Sequence, residues 1–277
     1  MILWSGTVVD HAVRLRTMNA MTLDKWVPFR NEDPVVGRRL FCFPHAGGNA
    51  TFYRPLRRFM PPEVDFCPVE LPGRAARLDE PPFTSMSALM ERLDRALQPL
   101  MGVPFGFFGH SVGACMAFEA ARQLRSVDGR IAMHLFVSGR GSPKFASADA
   151  PQARPPSDQD LLAILGRFGG TPAAVMQRPE LIAALLPALR ADLALVAGYA
   201  VDPGDRIACP ITAFAGADDV AHPGSLQSWR DFTRGKFRTC IFPGAHFYFS
   251  PAAAALAKEI NQDLDASVGM HTKDARP

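Results

Sequence analysis

The stretch Phe105-Gly106-Phe107-Phe108-Gly109-His110-Ser111-Val112-Gly113-Ala114 decides how this chain is read. An apolar, strand-like run ends in G-x-S-x-G, and a helical pattern starts at once, with Cys115, Phe118, Ala121 and Leu124 on one face. The turn between them is too tight for a side chain at either flanking position, which is the task of Gly109 and Gly113. Ser111 is then held at the tip of a strained turn with its hydroxyl toward a cleft. The first N–H groups of the following helix stay free and suit a developing oxyanion. By composition alone the pentapeptide turns up in roughly one chain in ten of this length, so the strand before it and the helix after it carry the inference.

Working outward, residues 39–43 form a continuous apolar run that reads as a buried strand, and His45-Ala46-Gly47-Gly48 is the loop at its carboxyl end. Open α/β sheets place their ligands at such ends. Alone, the loop is an ordinary glycine turn; paired with the elbow, it offers Ala46 N–H as a second oxyanion donor. Residues 51–60 read as a short helix carrying Arg54, Arg57 and Arg58, either a solvated face or a docking patch for an acidic partner. A strand at 64–69, the turn Leu71-Pro72-Gly73-Arg74, an amphipathic helix over 84–100 and a strand at 131–137 follow. Strands alternating with helices predict an α/β architecture, a mostly parallel central sheet flanked by helices.

The pattern changes after residue 138. Residues 139–156 are rich in Gly, Ser, Pro and Ala, and Ser157-Asp158-Gln159-Asp160 then opens a helix. Apolar positions Leu161 to Phe168 and Leu181 to Leu189 make two or three helices with no strand between them. An insertion over 140–200 is expected, either a lid that shields a greasy substrate or a packing subdomain. The sheet resumes at 210–215, before Asp218-Asp219, and again at 237–242, before Pro243-Gly244-Ala245-His246. A last helix is expected over 251–264, with a frayed polar tail from Ser267.

Three chemical groups therefore stand at strand ends in the order Ser111, an acid at 218 or 219, then His246. Neutral His246 would take the Ser111 proton, and the carboxylate would fix its tautomer. Adjacent residues differ in direction, so only one of Asp218 and Asp219 can face His246. His222 is the rival base; His110 reads as support for the turn, His45 as structural, and His134 as a satisfied core residue.

Composition bounds the alternatives. The 277 residues are 48% hydrophobic, enough to bury the core of one domain spanning 1–277. Five scattered cysteines point to a reducing compartment, and no His/Cys cluster has metal-ligand spacing. No run approaches the ~20 apolar residues of a membrane span, and the first residues lack a basic leader and cleavage site. A cytoplasmic protein is expected. The net charge of +3, without a basic groove-reading helix, excludes a case for nucleic acid.

Five blocks, in order, resemble the type II thioesterases, stand-alone editing enzymes of polyketide and non-ribosomal peptide synthesis in the α/β-hydrolase superfamily. They are Phe41-Cys42-Phe43-Pro44-His45-Ala46-Gly47-Gly48, Leu71-Pro72-Gly73-Arg74, Gly109-His110-Ser111-Val112-Gly113, Gly169-Gly170-Thr171-Pro172 and Pro243-Gly244-Ala245-His246-Phe247. The resemblance covers about 26–264 and leaves 1–20 as an extension, with Met18 or Met21 as possible starts. It implies an α/β-hydrolase fold, catalytic Ser111, Asp218 and His246, and oxyanion donors at the N–H groups of Ala46 and Val112. Asp218 is preferred because the eleven residues from it to Trp229 match the family's spacing. Val112, Ala75 and Ala245 depart from the family's usual methionine, glutamate and glycine. The implied activity is hydrolysis of acyl thioesters on the phosphopantetheine arm of an acyl or peptidyl carrier protein, in antibiotic biosynthesis. It implies no cofactor of the enzyme's own, because the arm belongs to the partner; a monomer without a metal is expected. The same triad also admits acyl transfer to a small alcohol or amine, and a carrier-binding homologue without catalysis is the third reading.

Overall fold

The computed structural model describes residues 23–31, 36–143, 155–197, 199–202, 204–219 and 223–274. The first 20 residues, His222 and most of the segment 139–156 lie outside them. Six strands, β1 (Arg38–Phe43), β2 (Val64–Pro68), β3 (Phe105–His110), β4 (Leu135–Ser138), β5 (Ile211–Gly216) and β6 (Phe237–Phe242), form one sheet. All pairs are parallel, in the order β2-β1-β3-β4-β5-β6.

Alternation along each strand sorts side chains onto two faces. Phe41, Phe43, Phe105, Phe107, Leu135, Val137, Ile211 and Ala213 enter one core with α2 (Met86–Leu97) and α3 (Val112–Gln123). Leu40, Cys42, Phe66, Phe108, Phe136 and Phe214 enter the other, with α1 (Arg54–Arg57) and α7 (Phe249–Asp274). All five cysteines are free thiols; four are buried.

Several boundaries differ from the sequence reading. The expected helix over 51–60 divides into a 3-10 turn at Ala50–Tyr53, capped by the Asn49 side chain, and the short α1, whose first turn holds Pro55. The strand expected from 131 starts at Leu135, although Met133 N–H and His134 O already bond β3. The last helix passes the expected stop at 264 and continues to Asp274. Ser267, expected in a frayed tail, is buried and hydrogen-bonds His134 Nδ1 at 3.0 Å, while Thr212 takes Nε2 at 3.0 Å.

Between β4 and β5 lie α4 (Asp158–Phe168), α5 (Ala173–Met176) and α6 (Pro179–Val196), with no strand among them. Ser157 and Asp160 form a reciprocal capping box that starts α4. Leu161, Ile182, Leu186 and Leu189 make a separate small core joining α4 to α6. The far end of α6 does a second job, since Leu195 and Val196 enter the main core beside α3. The inserted helices are thus anchored in the sheet domain at one end.

The elbow glycines are fixed by contact. A Cβ on Gly109 would lie 2.0 Å from Gly113 O, and one on Gly113 2.3 Å from Phe43 O. Both obstacles are backbone. Gly109→Ala is therefore expected to lower stability by at least about 3 kcal/mol, read as a fall in denaturant midpoint. A midpoint close to that of the parent would show that the strand and helix can separate here.

Candidate active site

Ser111 stands between the end of β3 and the start of α3 with φ 56° and ψ −119°, a conformation that costs a non-glycine residue about 1–3 kcal/mol. Its N–H donates to Ser138 O at 2.8 Å, which ties the turn to the end of β4. Ser111 is half-buried. Val112 takes the first position of α3, where a backbone N–H has no carbonyl four residues back in the helix.

Both oxygens of Asp219 lie 3.0 Å from His246 Nδ1, and both residues are buried. This corrects the expectation of Asp218, which is exposed. The two loops bearing the acid and the imidazole are laced together: Ala217 N–H donates to Phe242 O and Asp218 N–H to Gly244 O. Gly216 allows the close approach, since a Cβ there would meet Gly244 O at 2.2 Å. Asp218 thus contributes its backbone to the lacing and sends its side chain outward, while the next residue turns inward. Trp229, whose spacing favoured Asp218, is a core residue donating to Arg140 O at 2.8 Å.

Asp219 occupies Nδ1 of His246 and leaves Nε2 for another partner. Among the described residues no hydrogen bond joins Ser111 Oγ to His246; such bonds are often loose before substrate binds. Around the imidazole, the His110 ring lies at 4.7 Å between centroids and the Phe168 ring, from the end of α4, at 4.6 Å. Phe168 read only as an apolar helical position in the sequence. Gly139, with φ +64°, makes room, since a Cβ there would stand 3.1 Å from His246 Cε1 and 2.6 Å from His110 Cε1.

His110 is buried beneath the turn, its Nδ1 2.9 Å from Ser138 Oγ, which in turn lies 2.7 Å from Tyr248 Oη. Burial, with the neighbouring histidines His246 and His45, holds its pKa well below the usual range, so it stays neutral. His45 is likewise lowered, by burial first, to about 4. Its Nδ1 lies 3.0 Å from Ala46 O. A carbonyl accepts only, so Nδ1 carries the proton in the neutral ring.

Ala46 N–H meets no hydrogen-bond acceptor among the described residues. The next N–H, that of Gly47, donates to Asp192 Oδ2 on α6 at 2.8 Å. Arg74 pairs with the same carboxylate through two bonds of 2.7 and 2.8 Å, and also donates to Gly48 O at 2.9 Å. Sequence reasoning assigned no role to Asp192 or Arg74. The signals were present: one acid within an apolar stretch of leucines, and an arginine ending a Pro-Gly turn.

Among the described residues no group of three or more His, Cys, Asp or Glu is placed to hold a metal ion, and no helix is long and apolar enough to cross a membrane.

Comparison with known proteins identifies the family. The thioesterase domain family matches residues 38–264. The gramicidin S biosynthesis protein GrsT of Aneurinibacillus migulanus is 38% identical over 228 residues, covering 82% of this chain and 88% of its own. Thioesterase PikA5 of Streptomyces venezuelae is 34% identical, covering 91% of this chain and 89% of its own. The structure of the type II thioesterase BorB from the borrelidin biosynthetic cluster superposes with a TM-score of 0.75 at 34% identity, over 87% of this chain and 98% of that one. A serine elbow on a parallel sheet, matched along most of its length by these relatives, places the chain in the thioesterase family, with the α/β-hydrolase fold and thioester hydrolysis as its chemistry.

Proposed function

We propose that the chain is a serine thioesterase that removes acyl groups from the phosphopantetheine arm of acyl or peptidyl carrier proteins, as an editing enzyme of polyketide or non-ribosomal peptide synthesis. The observation that carries the reading is the buried Asp219–His246 pair at the same sheet edge as a strained, accessible Ser111. Ser111 Oγ attacks the thioester carbonyl while His246 Nε2 takes its proton. Asp219 holds the imidazole in the tautomer with Nδ1 protonated and stabilises the imidazolium. The tetrahedral oxyanion is met by Ala46 N–H and Val112 N–H. As the C–S bond breaks, His246 returns the proton to the departing sulfur, leaving acyl-Ser111. Water then repeats the cycle, its proton passing through His246 to Ser111 as the free acid leaves. Every step uses groups of the chain itself, and the pantetheine belongs to the partner.

Arg54, Arg57 and Arg58 suit an acidic carrier. All three are exposed, line a surface pocket of about 560 Å³ with Phe29 and Tyr53, and have no carboxylate partner among the described residues. The neighbouring 3-10 turn sends Phe52 against His45 and His110, so this patch adjoins the site. Exposed Leu162, Met176 and Leu181 on the inserted helices suit a lid that meets an apolar acyl chain.

The test is release of acid from an acyl-loaded carrier, with product analysis in the presence of alcohols and amines. Free acid is expected; ester or amide would favour transfer, and no release would defeat the reading. The variant R54E/R57E/R58E is expected to raise KM for the loaded carrier about tenfold, more at low salt, with kcat within twofold. Its KM for the small acyl-N-acetylcysteamine analogue should stay near that of the parent. An equal rise for both substrates would remove the patch from carrier recognition.

A further inference from the structure

The peptide units around Ala46 are held on every side but one. His45 O accepts from Gly48 N–H at 2.9 Å, Ala46 O lies 3.0 Å from His45 Nδ1, and Gly47 N–H reaches Asp192 Oδ2 at 2.8 Å. The group left over is Ala46 N–H. Two of these three bonds are made within the loop itself. The third comes from α6, 145 residues further along the chain.

Asp192 is 1% exposed, and Arg74 5%. A carboxylate so deep is costly unless it is paired and hydrogen-bonded, and Arg74 meets that need with both of its terminal nitrogens. Such a pair adds little stability over well-packed apolar side chains, so packing alone does not account for it. What leucine at 192 would lack is an acceptor for Gly47 and, through Arg74, a donor for Gly48 O. The loop backbone also lies directly on the helix: a Cβ on Gly47, at φ +70°, would stand 3.0 Å from Leu185 Cδ1 and 3.5 Å from Leu189 Cβ. Ala46 itself packs against the small core that joins α4 to α6.

We propose that Asp192 is a positioning residue for the oxyanion site, holding the Ala46–Gly47 peptide so that Ala46 N–H remains free for the developing charge. Because Asp192 rides on α6, the seating of the inserted helices and the competence of this donor are one coupled event. This role, which rests on the serine chemistry proposed above, makes a displaced lid helix a switched-off oxyanion site.

A pair of double variants tests it. R74M/D192N and R74M/D192L both remove the ion pair and the Arg74 bond to Gly48 O, but only the first keeps an acceptor for Gly47 N–H. The readout is the rate constant for labelling of Ser111 by a fluorophosphonate, in which Oγ bonds to phosphorus, fluoride leaves, His246 takes the proton, and the phosphoryl oxygen uses the oxyanion donors. A permanently misfolded fraction lowers the amplitude, whereas rapid reversible unfolding lowers the rate by the folded fraction, so labelling is compared well below both melting temperatures. R74M/D192L is expected to label at least about tenfold more slowly than R74M/D192N, with a matching fall in kcat and KM within twofold. Equal labelling rates would overturn the proposal. Should either double variant yield no labelled protein, the single variants D192N and D192A decide in the same way: slower labelling by D192A, which lacks an acceptor for Gly47 N–H, is expected, and equal rates would sink the idea. Labelling needs neither a thioester nor a carrier, so a failure of the carrier reading leaves this comparison intact.

Discussion

Ser111→Ala is expected to abolish acyl release, lowering kcat by about 10⁵–10⁶-fold while the protein keeps its fold and its affinity for the loaded carrier. The size follows from losing the covalent route entirely: water would have to attack the thioester directly, aided only by binding and the oxyanion donors. The fold should survive because Ser111 Oγ makes no hydrogen bond to another described residue, and alanine tolerates φ 56° no worse than serine. The melting temperature is expected to stay within a few degrees of the parent. Single-turnover release from a labelled acyl carrier measures the loss, and thermal unfolding checks the fold. A variant with more than a hundredth of the parent's rate would mean that Ser111 is not the nucleophile.

The second large effect separates two neighbouring residues. Asp219→Asn is expected to lower kcat by about 10⁴-fold, because an amide facing Nδ1 no longer selects the tautomer that leaves Nε2 free to accept the serine proton, and no longer offsets the imidazolium charge. Asp218→Asn should change kcat by less than about threefold, since its exposed side chain faces solvent and only its backbone joins the lacing to Gly244. Both substitutions are nearly isosteric, so both proteins should fold. Parallel kcat measurements settle the matter. A large loss for Asp218→Asn with a small one for Asp219→Asn would reverse the assignment of the acid.

The contrast shows where reading from sequence stops. Successive side chains of an extended strand point to opposite faces, so the continuous apolar run at 39–43 already implies a sheet covered on both sides. The same holds for the elbow, whose steric demands span five residues. The site's more distant members were another matter. Asp192 meets Gly47 across 145 residues, and Ser267 meets His134 across 133. No local pattern records such meetings, so neither the bond from Gly47 to Asp192 nor the burial of Ser267 is legible in residue order. The spacing from Asp218 to Trp229 misled for a related reason: it counts residues along the chain, whereas the direction of a loop carboxylate depends on what the loop is bonded to.

Residue order specifies the α/β class, the parallel sheet, the elbow that carries Ser111 and the helices between β4 and β5, because sterics, periodicity and glycine geometry act over a few residues. Long-range packing sets which carboxylate faces His246, Asp219, brings Phe168 against that imidazole and seats an acid of the inserted helices on the loop bearing Ala46. Those outcomes depend on which loops pack together and at what angle, and packing is settled by contacts among segments far apart in the chain.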